Sequence, residues 1–253
     1  MAAPLRIACA AVIWWALANS AFAQQTIINV PSDALTPVGQ WFTLHESVIV
    51  PASDESLYQT TNFLTYGLTE TTELAATLYG VDDNGSQLSA LGLGFKSTFD
   101  VLDEVAPAAE IKWTVGFMLP ISLRQAEPEV GYFPYSHLTF PVPGTKFRLL
   151  AGAAAGSENL FGKESISALA GVEYPLTDHL SFTGEWFSGQ HQLAGLIPGF
   201  TYHSGRLILV GGYKIPNDFD LAESGLVLEM GLFYGPGAGE EPDSSAHYGL
   251  RLP

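Results

Sequence analysis

The chain has 253 residues, 26 of them acidic and 10 basic, for a formal charge of −16 at neutral pH. With a pI near 4.5, that balance excludes a nucleic-acid binder, because holding a phosphate backbone takes a basic stripe. Only 14% of the residues are charged and the mean hydropathy is +0.19, high for a soluble β-protein that must clothe its outside in Lys and Glu.

The first element in the chain is a leader. Arg6 precedes the apolar run Ile7–Ala18, and the small-residue stretch Ala21-Phe22-Ala23 follows, the layout of a cleavable signal peptide over residues 1–23. The run is too short to cross a bilayer as a helix. No later segment approaches 18 uninterrupted apolar residues, so a mature chain in a membrane must cross it as strands. The lone cysteine, Cys9, lies inside the leader, which leaves residues 24–253 as one domain with no disulfide framework.

From Phe42 to Tyr234 apolar residues alternate with small, hydroxyl-bearing or charged ones, as in Ile111, Trp113, Val115 and Phe117 against Lys112, Thr114 and Gly116. This period of two predicts about twelve strands, most of them near the length that a tilted transmembrane strand needs. They centre on 42–50, 62–68, 73–81, 90–99, 110–119, 135–142, 146–154, 165–174, 179–187, 196–202, 206–214 and 225–234. Connectors after even-numbered strands are short, as at Thr69–Thr72, Pro143–Thr145, Thr177–Asp178 and Ser204–Gly205, with Asp100–Ala109 the exception. Those after odd-numbered strands, such as Pro51–Thr61, Val81–Ser89 and Ile215–Glu223, are mostly longer. Short turns on one side and long loops on the other are the asymmetry of an outer-membrane barrel.

The stretch Tyr66-Gly67-Leu68-Thr69-Glu70 recurs as Tyr174-Pro175-Leu176-Thr177-Asp178, each joining one strand to the next. It resembles the periplasmic turns of many bacterial outer-membrane β-barrel proteins, as does the opening Ile28-Asn29-Val30-Pro31-Ser32. The chain departs from their pattern by ending in Leu252-Pro253 rather than an aromatic, so either Gly225–Tyr234 or His247–Leu252 closes the barrel. The resemblance implies an all-β, antiparallel up-and-down transmembrane barrel in the outer membrane, in contact with its lipid. It points to no particular activity, and the leading reading is a non-enzymatic barrel with a structural role or a narrow conduit for small solutes. A secreted β-sandwich binding protein alternates its faces too. The Gly, Ser, Thr and Ala of the polar face favour the barrel. So do aromatics near strand ends, Tyr79, Trp113, Phe117, Tyr174, Trp186, Tyr213 and Tyr234, which read as interfacial girdles.

If Leu74, Phe95, Trp113, Leu149, Val172, Trp186, Leu209 and Leu228 meet lipid, the charged residues beside them face a lumen. That interior set is Glu73, Lys96, Glu110, Lys112, Lys146, Arg148, Glu173, Glu185, Arg206, Lys214 and Glu229. Near-balanced charge in a confined interior predicts ion-paired packing, since an unpaired buried charge is costly. The excess acid then lies in loops.

Chemistry is sparsely signalled. His45-Glu46-Ser47 places an imidazole and a hydroxyl on one face of the first strand, where the histidine can take the serine proton. Two barrel hydrolase families, the outer-membrane phospholipase and a lipid A deacylase, use a similar His-x-Ser pair facing the lipid, with a third polar residue to orient the histidine. Here the phasing turns His45 and Ser47 inward, with Glu185 or Glu229 as orienters. Gly156–Ser165 has one residue too many for a phosphate loop. His179, His191 and His203 are too scattered to infer a zinc site. No metal or organic cofactor is indicated.

Overall fold

In a computed structural model of the chain, the structure describes residues 30–50, 57–82, 88–101, 109–122, 129–158, 165–191 and 193–236. The leader, the loop acids Asp83, Glu127, Glu240 and Glu241, and the segment 247–252 lie outside them.

The alternating stretches form twelve strands: β1 Trp41–Val50, β2 Leu57–Thr69, β3 Thr72–Asp82, β4 Leu88–Val101, β5 Ile111–Ser122 and β6 Phe133–Pro141 in the first half. The second half holds β7 Arg148–Ala155, β8 Ile166–Pro175, β9 Leu180–Phe187, β10 Gly195–Ser204, β11 Leu207–Pro216 and β12 Gly225–Tyr234. Each pairs antiparallel with its sequence neighbours, and the ring is completed by β12 on β1, in register from Trp41↔Tyr234 to Ile49↔Leu226. The closing strand is therefore Gly225–Tyr234. Closure leaves no unpaired edge, the condition for sheet to survive in lipid. The connector parity also holds apart from the expected exception: Glu70–Thr71 and Gly205–Arg206 are two-residue turns on the same rim, which also carries the long connector between Val101 and Ile111, while the opposite rim carries mostly longer loops. Both copies of the Tyr-x-Leu-Thr-acid stretch turn at the short-loop rim.

Outward positions match the lipid-facing expectation. Leu74, Phe95, Trp113, Trp186, Leu209 and Leu228 are all exposed on the barrel exterior, as are Tyr213 and Tyr234 of the predicted girdles. Tyr79 does not belong to a girdle. It stands on the inward face opposite Ala90, with its ring over Gly92, where a Cβ would crowd it.

The interior departs from the expected polar filling. Phe42, Leu44, Leu150, Leu169, Phe187, Ile197, Ile208, Val210, Val227 and Phe233 form a buried apolar cluster inside the barrel, joined by Val30 from the N-terminal segment. These residues come from β1 and β7–β12, so that arc of the wall carries apolar side chains inward as well as outward, interspersed with buried Glu46, Thr183, Glu185, Thr201 and Glu229. The opposite arc carries buried Glu73, Thr77, Lys96, Thr98, Thr114, His137 and Thr139. One side of the lumen holds most of the apolar packing, and the β3–β6 side is lined chiefly by hydroxyls and charges.

Candidate functional site

The polar arc and the N-terminal segment together make the most developed polar assembly among the described residues. Gln40 leads into β1 at the short-turn rim, and the chain before it is seated on β2. Gly39 donates its N–H to the Gly67 carbonyl at 2.9 Å, Gly67 donates to Gln40 at 3.1 Å, and Val38 bridges Gly67. Gly39 has φ +76°, a left-handed conformation that glycine adopts without strain. Gly67 is needed for a different reason: a Cβ there would strike the Thr36 and Pro37 carbonyl groups.

From this seat, residues 37 back to 30 run into the lumen. Glu73 Oε2 accepts from the Thr36 N–H at 2.7 Å and from the Thr36 hydroxyl at 3.0 Å. Its other oxygen pairs with Lys96 Nζ at 3.1 Å, and Lys96 also donates to the Ala34 carbonyl. Glu73 and Lys96 are 2% and 3% exposed, so this is a desolvated pair whose donors and acceptors are used. Further in, Arg148 pairs with Asp33 at 2.8 Å and reaches Glu173 at 3.7 Å. Burial alone pushes the Asp33 carboxyl upward, but Arg148, helped by Lys112 and His137, outweighs it and holds the group below the usual aspartate range. The Val30 N–H donates to Glu185 Oε2 at 2.8 Å. Strands β3 and β9, which supply Glu73 and Glu185, stand six places apart in the twelve-strand ring. The segment therefore crosses the lumen and is held on both walls.

Of the charged set read from the sequence, Glu73, Lys96, Lys112, Arg148, Glu173, Glu185, Lys214 and Glu229 share the inward face of their strands, by register. Glu110 precedes β5 with φ 46°, and Lys146 and Arg206 lie exposed in short turns, so these three sit at the rim and not in the lumen. Two inward acids escaped the sequence reading. Asp100 lies opposite Lys112 on the inward face, near the short-turn rim. Glu46 faces Glu229 directly across β1 and β12, both buried, and Lys214 lies within electrostatic reach of Glu46. The strand charges facing inward are thus acidic on balance and not near neutral.

Glu46 was missed because β1 reverses the rule used to phase it. Its apolar residues Phe42, Leu44, Val48 and Val50 point into the barrel against the apolar cluster, and Trp41, Thr43, His45, Ser47 and Ile49 point out. His45 and Ser47 therefore lie on the exterior, in register with exposed Met230 and Leu228. Glu185 and Glu229, on the inward face, cannot orient the imidazole. The polar group that meets it is Asn62 of β2, whose Oδ1 lies 2.8 Å from His45 Nδ1, while His45 Nε2 lies 3.1 Å from Ser47 Oγ.

No family model matches the sequence, and no curated protein does. Among solved structures, the chain is similar to the KdgM porin in complex with disordered oligogalacturonate, at 8% identity and a TM-score of 0.50, over 78% of this chain and 99% of that one. It is also similar to the COG4313 outer membrane channel from Pseudomonas putida F1 (12% identity, TM-score 0.44, 79% and 97% covered). A third is the translocator domain of the autotransporter NalP from Neisseria meningitidis (14% identity, TM-score 0.35, 79% and 89% covered). A closed antiparallel ring of twelve strands with an apolar exterior is the fold this chain shares with the KdgM porin: a porin-like β-barrel.

Proposed function

We propose that the barrel is a narrow conduit for small solutes, with passage governed by the segment Val30–Pro37 that lies across its lumen. The observation that carries this reading is how the segment is held. Its partners Glu73, Lys96, Arg148 and Glu185 are charged side chains at separate positions on the wall. A barrel with only a structural role gains nothing from such a set, because apolar filling of the same volume is as stable or more so. Charged contacts let the segment exchange with water and a solute at small net cost, which an interdigitated apolar plug does not. The acidic balance of the inward face favours cationic or neutral solutes over anions.

Planar-bilayer recording of the purified, folded chain tests the proposal. Small unit conductance is expected from the natural protein, rising several-fold when residues 30–37 are replaced by a Gly/Ser linker of equal length. Absence of current from both proteins overturns the conduit.

A further inference from the structure

On the outside of the barrel, and independently of the conduit, His45, Ser47 and Asn62 form a hydrogen-bonded chain among residues that meet lipid. Their register partners across β1 and β12, Met230 and Leu228, are exposed and apolar, and so is Leu64 two positions along β2 from Asn62. A polar chain on such a surface loses hydration without gaining charge pairing, so it is costly unless it does something. The atoms are arranged for proton transfer. Asn62 Oδ1 accepts from His45 Nδ1–H at 2.8 Å, which leaves Nε2 as the basic nitrogen, and Nε2 accepts the Ser47 hydroxyl proton at 3.1 Å. Ser47 also lies near the long-loop rim, three residues from the end of β1 at Val50.

From this geometry we infer that the exterior of β1 and β2 is a lipid acyl-ester hydrolase site, with Ser47 as nucleophile, His45 as general base and acid, and Asn62 as a positioning residue. Ser47 Oγ bonds to the acyl carbonyl carbon as its proton passes to His45 Nε2. The tetrahedral adduct then breaks the carbon–oxygen bond to the lipid alcohol, which leaves with that proton. Water adds to the acyl-serine in the same way, its proton moving through His45, and the fatty acid departs as Ser47 regains its hydroxyl. The substrate class is an acylated lipid of the outer leaflet, either a glycerophospholipid or a lipid A acyl chain.

The test uses the folded full chain, verified by heat-modifiable migration, in mixed micelles with phosphatidylethanolamine in one arm and lipid A in the other. Ser47 is 9% exposed, so covalent capture by a long-chain fluorophosphonate, mapped by mass spectrometry, reads access to it directly. Expected results are a fluorophosphonate adduct on Ser47 and fatty-acid release in one arm, which identifies the lipid. Ser47→Ala and His45→Ala should reduce release to background with folding and conductance unchanged. Asn62→Ala should lower kcat at least tenfold and shift the pH profile, and Asn62→Asp, which keeps an acceptor for Nδ1–H, should restore most of the rate. No adduct on folded protein, no release in either arm, or equal release from natural protein and Ser47→Ala overturns the site. An Asn62→Ala enzyme with the natural rate and pH profile overturns the role of Asn62.

Discussion

Glu73 shows how much a single luminal side chain does here. Its two oxygens serve a lysine, a backbone N–H and a hydroxyl at once, with almost no solvent contact. Removing one partner of such a pair leaves the other charge buried and uncompensated, which costs on the order of 3–5 kcal/mol. Lys96→Met should therefore lower the unfolding midpoint in urea far more than Lys146→Met at the exposed turn, and a similar loss from both would show that the pair is not buried as described. Asp33 carries a pH dependence of known sign. Its folded pKa lies below the ordinary value of about 3.9. The stabilisation from the Asp33–Arg148 pair is thus complete above that value and is lost as pH falls through the folded one. Hydrogen exchange at the Val30 and Thr36 amides should stay slow at pH 5 and quicken only below about pH 4.

At the scale of the element, the N-terminal segment is held at its root by a glycine and along its length by charges. Gly67→Ala puts a methyl group where the Thr36 and Pro37 carbonyls lie, and overpacking of this kind costs typically about 1–3 kcal/mol. The expected result is a destabilised seat, seen as proteolytic release of the segment with the barrel intact and as a raised conductance. Gly144→Ala, in an open turn, should leave the segment in place; release by both variants would detach the effect from the close approach at Gly67. The strands themselves were legible because each has two faces in different surroundings and hence a period of two, and on β2–β12 large apolar residues such as Leu74, Phe95, Trp113, Trp186 and Leu228 stand outward as the pattern implies. β1 does not follow it, and the reason is local. An apolar cluster fills the lumen behind it, so the apolar side of β1 has a better partner inside than out. That single reversal hid Glu46 and turned His45 and Ser47 the wrong way.

For the whole molecule, the main electrostatic consequence is an inward face with more acid than base. Glu46 and Glu229 meet in register with both carboxyls buried, an arrangement in which two ionised carboxylates side by side would be costly. Glu229→Gln should leave stability unchanged or slightly raised while lowering the preference for K+ over Cl−, measured as a reversal potential across a salt gradient. An unaltered reversal potential would place the path of ions elsewhere in the barrel.

Alternation and connector lengths were enough to anticipate an up-and-down barrel of about twelve strands with an apolar exterior. Those properties are local, because each strand meets the same two environments whatever its neighbours do. The contents of the lumen were a different matter. Which charges face each other depends on shear and register, which residue lies behind β1 depends on strands far away in sequence, and the course of Val30–Pro37 across the barrel depends on partners 37 to 155 residues distant. The pairing of His45 with Asn62, 17 residues on, belongs with these. A period-two pattern states that a side chain has a face, but only closure of the ring says what that face meets.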